Sequence, residues 1–423
     1  MSLIDREYDD MLWNRAMALM PRGTQTMSKC PDQYVDGVHP KFAARGKGCT
    51  IVDLHGNQYI DFSCALGPII LGYCDPRVDQ AIKRQLDCGI VFSLPTTLES
   101  VVARQVCDVV PSAEMVRFAK NGTDATLAAV RIARSYTKRE HIAMCGYHGW
   151  NDWSAITLRP YGVPSCLSRL VHEFKYNDLQ SLEDVLKANP VAGVIMEPQA
   201  LTPPEPGFLE GVRSLCDKYG SVLIFDEIVT GFRWALGGAQ EKFGVTPDLT
   251  CLGKAMANGM PLSAICGKKE YMKELDTAFF SMTFGGECLS LAAATETIRV
   301  LGHDVDYDSL WQRGDKLAEG IRKAAQSHGL SINFSGSAPR HNLTFTSEYK
   351  DPGGMKDLFY QEMVRRGILF GNVVYVNFAH SDHDIRVTCQ AAEESFRVVS
   401  KNIDRIDDVL QGKRSVAIFR KNT

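Results

Sequence analysis

Leu223–Phe232 reads LIFDEIVTGF. It begins as a strand entering a core and stops on two adjacent carboxylates, Asp226 and Glu227. Burying an ionised carboxylate without a partner is very costly. In parallel α/β sheets, ligands bind beyond the carboxyl ends of the strands, so a buried acid at such an end raises the question of which positive group it meets. Glu197, after VAGVIM, ends a second run in the same way. Helix capping or an arginine partner would explain these two acids equally well if they stood alone.

Outward from this stretch, short apolar runs alternate with longer helical segments. MVRFA, HIAMCG, VAGVIME, VLIFD, LTCLG and LSAICG are the strand candidates. Between the first two, Ala125, Ala128, Ala129, Ile132, Ala133 and Tyr136 form one apolar stripe at helical spacing. Strand–helix alternation predicts an α/β fold with a mainly parallel sheet covered by helices. The large domain is expected over residues 61–303. Residues 1–60, a helix from Tyr8 to Met20, an irregular stretch and a hairpin within Cys49–Phe62, are expected to join a smaller α+β domain formed by residues 304–423.

The 423 residues carry a formal charge of −3, with 45% apolar and 23% charged residues. This gives no general attraction to nucleic acid or anionic membranes. No apolar run approaches bilayer-spanning length, and the N-terminus MSLIDREYDDML is unlike a signal peptide. The 13 cysteines include no C-x-x-C pair, which fits reduced thiols in a cytoplasmic protein. His380–His383, HSDH, is the nearest approach to a metal motif but lacks further ligands, and no metal is expected.

Three further motifs carry chemistry. AKNGTDAT follows a strand and opens the striped helix; Asn121, Gly122 and Thr123 can offer backbone N–H groups to a phosphate at the helix N-terminus, or simply cap the helix. Lys254, in CLGKAMANG, follows a strand among apolar residues and glycines, where a lysine can form a Schiff base with a carbonyl. Tyr147, in GYHGW, offers an aromatic face to a flat ligand. Each has a plain reading as a cap, a surface lysine or a core tyrosine. Together, a phosphate cradle, an aldehyde-binding lysine, a stacking aromatic and an acid at depth match pyridoxal 5′-phosphate, whose protonated ring nitrogen would be the partner of Asp226.

Over nearly its whole length the chain resembles the class III, fold-type I aminotransferases, in the branch that holds glutamate-1-semialdehyde aminomutase and aminotransferases found with polysaccharide genes. The resemblance runs in order through PRGTQT, GCTIVDLHGNQYIDF, GPIILGY, NGTDATLAAVRIAR, YHGW, IFDEIVTGFR, LGKAMANGMPLSA and TFGGE. It implies that Lys254 holds the cofactor and moves the proton, and that Asp226 pairs with the ring nitrogen. It further implies that Ile228 and Tyr147 cover the two ring faces and that Gly122 and Thr123 hold the phosphate. Glu197 lies on the phenolic-oxygen side, and His148 belongs to the same match. Thr283, in SMTFGG, resembles a threonine that reaches the phosphate of a neighbouring subunit, which implies a homodimer.

The substrate positions depart from the aminomutase. Lys29 stands where that enzyme has a carboxylate-gripping arginine, Leu66 replaces a tryptophan, and Asn372 replaces a glutamate. WNDWSAITLRPYGVP replaces a glycine-rich gating loop. The expected activity is therefore amino transfer between a small-molecule donor and an aldehyde or ketone acceptor, such as a sugar-like or nucleotide-linked carbonyl, in two half-reactions. Aminomutase activity is the alternative. An inactive cofactor-binding protein would be free to lose Lys254, and a nicotinamide enzyme would need a G-x-G-x-x-G turn that this chain lacks.

Overall fold

A computed structural model describes residues 3–371 and 373–416; Asn372 lies outside the described residues. The chain divides into two compact units, Met1–Asp75 with Asp308–Thr423, and Pro76–Tyr307.

The first unit opens with the helix Leu3–Leu19, followed by strands β1 (Ala43–Lys47), β2 (Thr50–Asp53) and β3 (Gln58–Asp61). β2 and β3 form the expected hairpin, with Gly56 at φ +86° in its turn. The unit runs past the expected limit at residue 60 because the segment after β3 is bonded to later parts of the same unit. Phe62 N–H donates to Leu369 O at 3.0 Å, Tyr375 N–H to Phe62 O at 2.7 Å, and Phe378 N–H to Ile70 O at 2.9 Å.

The second unit holds β4 (Met115–Ala119), β5 (His141–Cys145), β6 (Val171–Glu173), β7 (Val191–Met196), β8 (Val222–Asp226), β9 (Leu249–Leu252) and β10 (Ser263–Gly267). They form one sheet in the order β4-β10-β9-β8-β7-β5-β6. Only β10 is reversed: it pairs antiparallel with both β4 and β9, and the other pairs are parallel. All other strands therefore end on one edge of the sheet.

Every residue of β7 and β8 is buried, because helices cover both faces and leave no polar alternation. Alternate residues still go to different cores. Ile195, Val222 and Ile224 pack with Ala125, Ala129, Ile132 and Ala133 of the helix Gly122–Thr137. Val194, Met196, Leu223 and Phe225 pack with Leu182, Leu186, Phe208 and Val212 from two other helices. The alanines of the striped helix let it lie close against the sheet.

Back in the first unit, β11 (Ile332–Ser337), β12 (Arg340–Phe345) and β14 (Val374–Tyr375) form a small sheet, while β13 (Ile368–Leu369) joins β3 in parallel to extend the hairpin sheet. Among the described residues, no helix is long and apolar enough to cross a membrane.

Candidate active site

The site lies in the second unit, at the edge where β4, β5, β7, β8 and β9 end. From β4 the chain enters the helix Gly122–Thr137. Asn121 caps it, its own N–H donating to Asp124 Oδ2 at 2.8 Å, and the Asn121 carbonyl accepts from Ser263 Oγ at 2.8 Å. The first N–H groups of a helix have no partner within it, so Gly122 and Thr123 present donors where the helix dipole also favours an anion. Thr123 is buried, and its Oγ1 has no hydrogen-bond partner. A buried hydroxyl without a partner at a helix N-terminus fits a phosphate.

Asp226, 5% exposed, closes β8. Its Oδ1 accepts from Ile228 N–H at 3.1 Å, and its Oδ2 lies 2.7 Å from His148 Nδ1. Ile228 sits between two glycines: a Cβ added at Gly122 or at Gly253 would stand 3.1 Å from its side chain. The cradle, the isoleucine and the residue before Lys254 are thereby packed together. Lys254 itself is half-buried, with φ +40°. A non-glycine residue held in the left-handed region stores strain of about 1–3 kcal/mol, which typically accompanies function.

Tyr147 and His148 follow β5. Tyr147 is 47% exposed, and burial together with the nearby Asp226 charge raises its pKa. His148 is instead buried behind Asp226. Gly149 closes over Thr123, with φ +106° and an added Cβ colliding with the Thr123 side chain. Asn151 Nδ2 donates to Thr123 O at 2.9 Å. Half-buried Glu197 follows β7 and faces Gly146, whose added Cβ would lie 3.9 Å from Glu197 Oε1. Thr283 is exposed, in a stretch with the equally exposed Phe279 and Phe284. Lys29 and Leu66 belong to the other unit.

Sequence reading missed Ser263, Asn151 and the His148–Asp226 bond. The signal for the last was present in YHGW, where a polar residue adjoins the stacking aromatic. The reading also left Glu227 without a function. Glu227 is wholly buried and turned away from this site: it accepts from Ala239 N–H at 2.6 Å, Thr230 Oγ1 at 2.8 Å, and Gln240 N–H and Nε2 at 3.0 Å each. Burial raises its pKa against these hydrogen bonds.

Residues 34–393 match the family Aminotransferase class-III. A 3-aminobutyryl-CoA aminotransferase of Cloacimonas acidaminovorans is 39% identical over 406 residues, spanning 92% of this chain and 97% of its own length. A glutamate-1-semialdehyde 2,1-aminomutase of Syntrophobacter fumaroxidans is 36% identical over 424 residues, spanning 92% of this chain and 98% of its own. The FumI protein of Sphingopyxis sp. MTA144, solved in its PLP internal aldimine form, superposes with a TM-score of 0.88 at 27% identity, covering 96% of this chain and 98% of that one. With a family match over most of its length and relatives this similar, the chain belongs to the class III aminotransferases.

Proposed function

We propose that this chain is a pyridoxal 5′-phosphate-dependent aminotransferase in which Lys254 holds the cofactor and carries the proton. The observation that supports this most is the convergence of Asp226, Ile228, the segment of Lys254 and the Gly122–Thr123 helix start at one sheet edge. When bound, the cofactor supplies an aldehyde for amines and a ring that withdraws electrons from the substrate carbon. The N–H groups of Gly122 and Thr123, with the Thr123 hydroxyl, would hold the phosphate. Asp226 would accept a hydrogen bond from the ring nitrogen and keep it protonated. Ile228 and Tyr147 would cover the two ring faces, and Glu197 would serve the phenolic-oxygen side. Lys254 would hold the cofactor's aldehyde carbon through its Nζ, and the same amine would serve as the base that carries the substrate's proton.

The acceptor is an aldehyde or ketone. The substrate named for the Cloacimonas relative, 3-aminobutyryl-CoA, has its carboxyl group tied up as a thioester. That compound is an amino donor, and the acceptor that corresponds to it is the 3-oxo thioester; neither carries a free carboxylate that needs an arginine clamp, which agrees with Lys29 at the place of the aminomutase's arginine. A sugar-like carbonyl meets the same requirement. The aminomutase reading is favoured by the 36% identity to a named aminomutase. The working unit is a homodimer in which Thr283 reaches the neighbouring subunit's phosphate. In support, Phe92, Leu94, Phe279 and Phe284 are 50%, 77%, 80% and 59% exposed, large apolar side chains that a subunit contact would cover. The 13 cysteines without a C-x-x-C pair support a cytoplasmic location.

The test is chemical. The purified protein should be yellow, and borohydride should fix the cofactor to Lys254 in a peptide identified by mass spectrometry. Attachment at another residue refutes the assignment. Lys254→Ala should still bind the cofactor and lose turnover.

A further inference from the structure

Asn151 stands just ahead of the short helix Asp152–Ala155, and its carbonyl accepts from Ser154 N–H at 2.9 Å and Ala155 N–H at 2.8 Å. An asparagine in that place ordinarily turns its side chain onto the first N–H groups of its own helix. Here the side chain makes no such bond. It crosses instead to a residue 28 positions away, where Nδ2 donates to Thr123 O at 2.9 Å. The loop after β5 is fastened to the same helix start a second time. Thr126 Oγ1 lies 2.7 Å from His148 O and 3.2 Å from Thr123 O, so its one hydrogen bridges the loop and the cradle. Between these two fastenings Gly149 lies on the Thr123 side chain, and a Cβ added there would stand 2.6 Å from Thr123 Cβ.

We propose that Asn151 and Thr126 are positioning residues for the phosphate: by holding the loop from His148 to Asn151 down on the helix start, they fix the rotamer of Thr123. The need arises from threonine itself. In a helix its χ1 divides between two rotamers, and only one of them turns the hydroxyl toward an anion at the helix start. Thr123 is 6% exposed, and its Oγ1 has no hydrogen-bond partner among the described residues, so no bond within the protein selects the rotamer. The contact with Gly149 selects it, and Gly149 keeps its place because the residues around it are tied to Thr126 and Thr123. A buried hydroxyl held without a partner is costly, and an anion that accepts from it removes that cost. The proposal rests on the cofactor reading for the identity of the anion and on these bonds for the rest.

The test compares pyridoxal 5′-phosphate with pyridoxal, which lacks the phosphate, by absorbance titration of the full-length protein freed of resident cofactor. Asn151→Ala should weaken binding of pyridoxal 5′-phosphate about tenfold, the worth of one buried hydrogen bond, and leave pyridoxal unchanged. Thr126→Val keeps the side chain's shape and removes the bridging hydroxyl. It should act in the same way, and it decides the matter if Asn151→Ala does not fold. Equal losses for the two compounds, or no loss for either, overturn the proposal. A second arm asks whether these residues act through Thr123. Thr123→Val should itself weaken pyridoxal 5′-phosphate, and adding Asn151→Ala to it should cost less than about twofold more, because the rotamer then no longer matters. Losses that multiply overturn the positioning role. A wild-type protein that takes neither compound on Lys254 overturns the cofactor reading and this proposal with it, whereas attachment at Lys254 with multiplying losses overturns the proposal alone.

Discussion

Replacing Glu227 by Gln tests whether the two adjacent acids divide their work as the structure indicates. Four donors use the acceptor capacity of the Glu227 carboxylate: Ala239 N–H and Thr230 Oγ1 on Oε2, and the backbone and side chain of Gln240 on Oε1. An amide can keep only one oxygen. If its nitrogen takes the Oε2 place, the Thr230 hydroxyl can turn to accept, but the Ala239 N–H cannot. If it takes the Oε1 place, Gln240 would have to flip, which breaks the bond that Gln240 Oε1 accepts from Ser112 N–H at 2.9 Å. At least one buried donor is orphaned either way, at about 1–3 kcal/mol, and the surviving bonds lose their charge assistance.

Relief from burying a charge offsets part of this, leaving a loss of about 2–4 kcal/mol, or roughly 5–10 °C in the melting of a unit of this size. The pH direction follows from the raised pKa. A carboxyl whose folded pKa lies above its ordinary value of 4.5 contributes stability below that value and loses it as pH rises through the folded pKa. The deficit of Glu227→Gln should therefore widen on acidification from neutral pH. Turnover per folded molecule should stay within about tenfold of wild type, whereas Asp226→Asn should lose at least a hundredfold with a much smaller change in melting. Thermal melts by circular dichroism, paired with activity normalised to folded protein, decide it. An unchanged melting temperature for Glu227→Gln, or equal losses of turnover in the two variants, would refute the division.

Acid should destabilise the first unit through His39 and His341, both buried and both lowered from 6.5 to about 4 by burial. Depressed histidines give stability that is present above 6.5 and lost as pH falls toward 4, about 3 kcal/mol each, and His39→Gln or His341→Gln should flatten the urea midpoint's dependence on pH between those values. Analytical ultracentrifugation should find a dimer, with Leu94→Glu shifting it toward monomer; a monomer with full turnover would count against the role given to Thr283. Glutamate-1-semialdehyde should be a poor substrate, because lysine offers a carboxylate a point charge rather than two parallel bonds. Lys29→Arg should raise activity on it, and efficient turnover by the unmodified protein would restore the aminomutase reading.

The strands of the large sheet were legible because each is an apolar run bounded by turn residues, and the helix Gly122–Thr137 because its apolar stripe starts just after Asn121-Gly122-Thr123. Val171–Glu173 was not, since a three-residue strand with one buried side chain carries no period. The reversal of β10 was not legible either: SAICG is as apolar as its parallel neighbours, and hydrophobicity does not encode direction. Contacts such as Ser263 with Asn121, 142 residues apart, leave no local trace in one sequence. The substrate positions remain readable only as departures from a resemblance, because Lys29 and Leu66 belong to the other compact unit.

The choice between Asp226 and Glu227 follows from parity. Successive side chains of a strand point to opposite faces. Val222 and Ile224 face the helix Gly122–Thr137, and Leu223 and Phe225 face the helices on the other side. Asp226 continues the first set, so it emerges on the face whose helix begins with the phosphate cradle. Glu227 falls out of step with it and turns into the loop that returns at Ala239 and Gln240. A cofactor bound at that helix start, as proposed, would meet residue 226 and not residue 227. One residue's shift of register in β8 would exchange the two acids and leave the cradle without a carboxylate, so the buried alternation of VLIFD sets which acid serves the site.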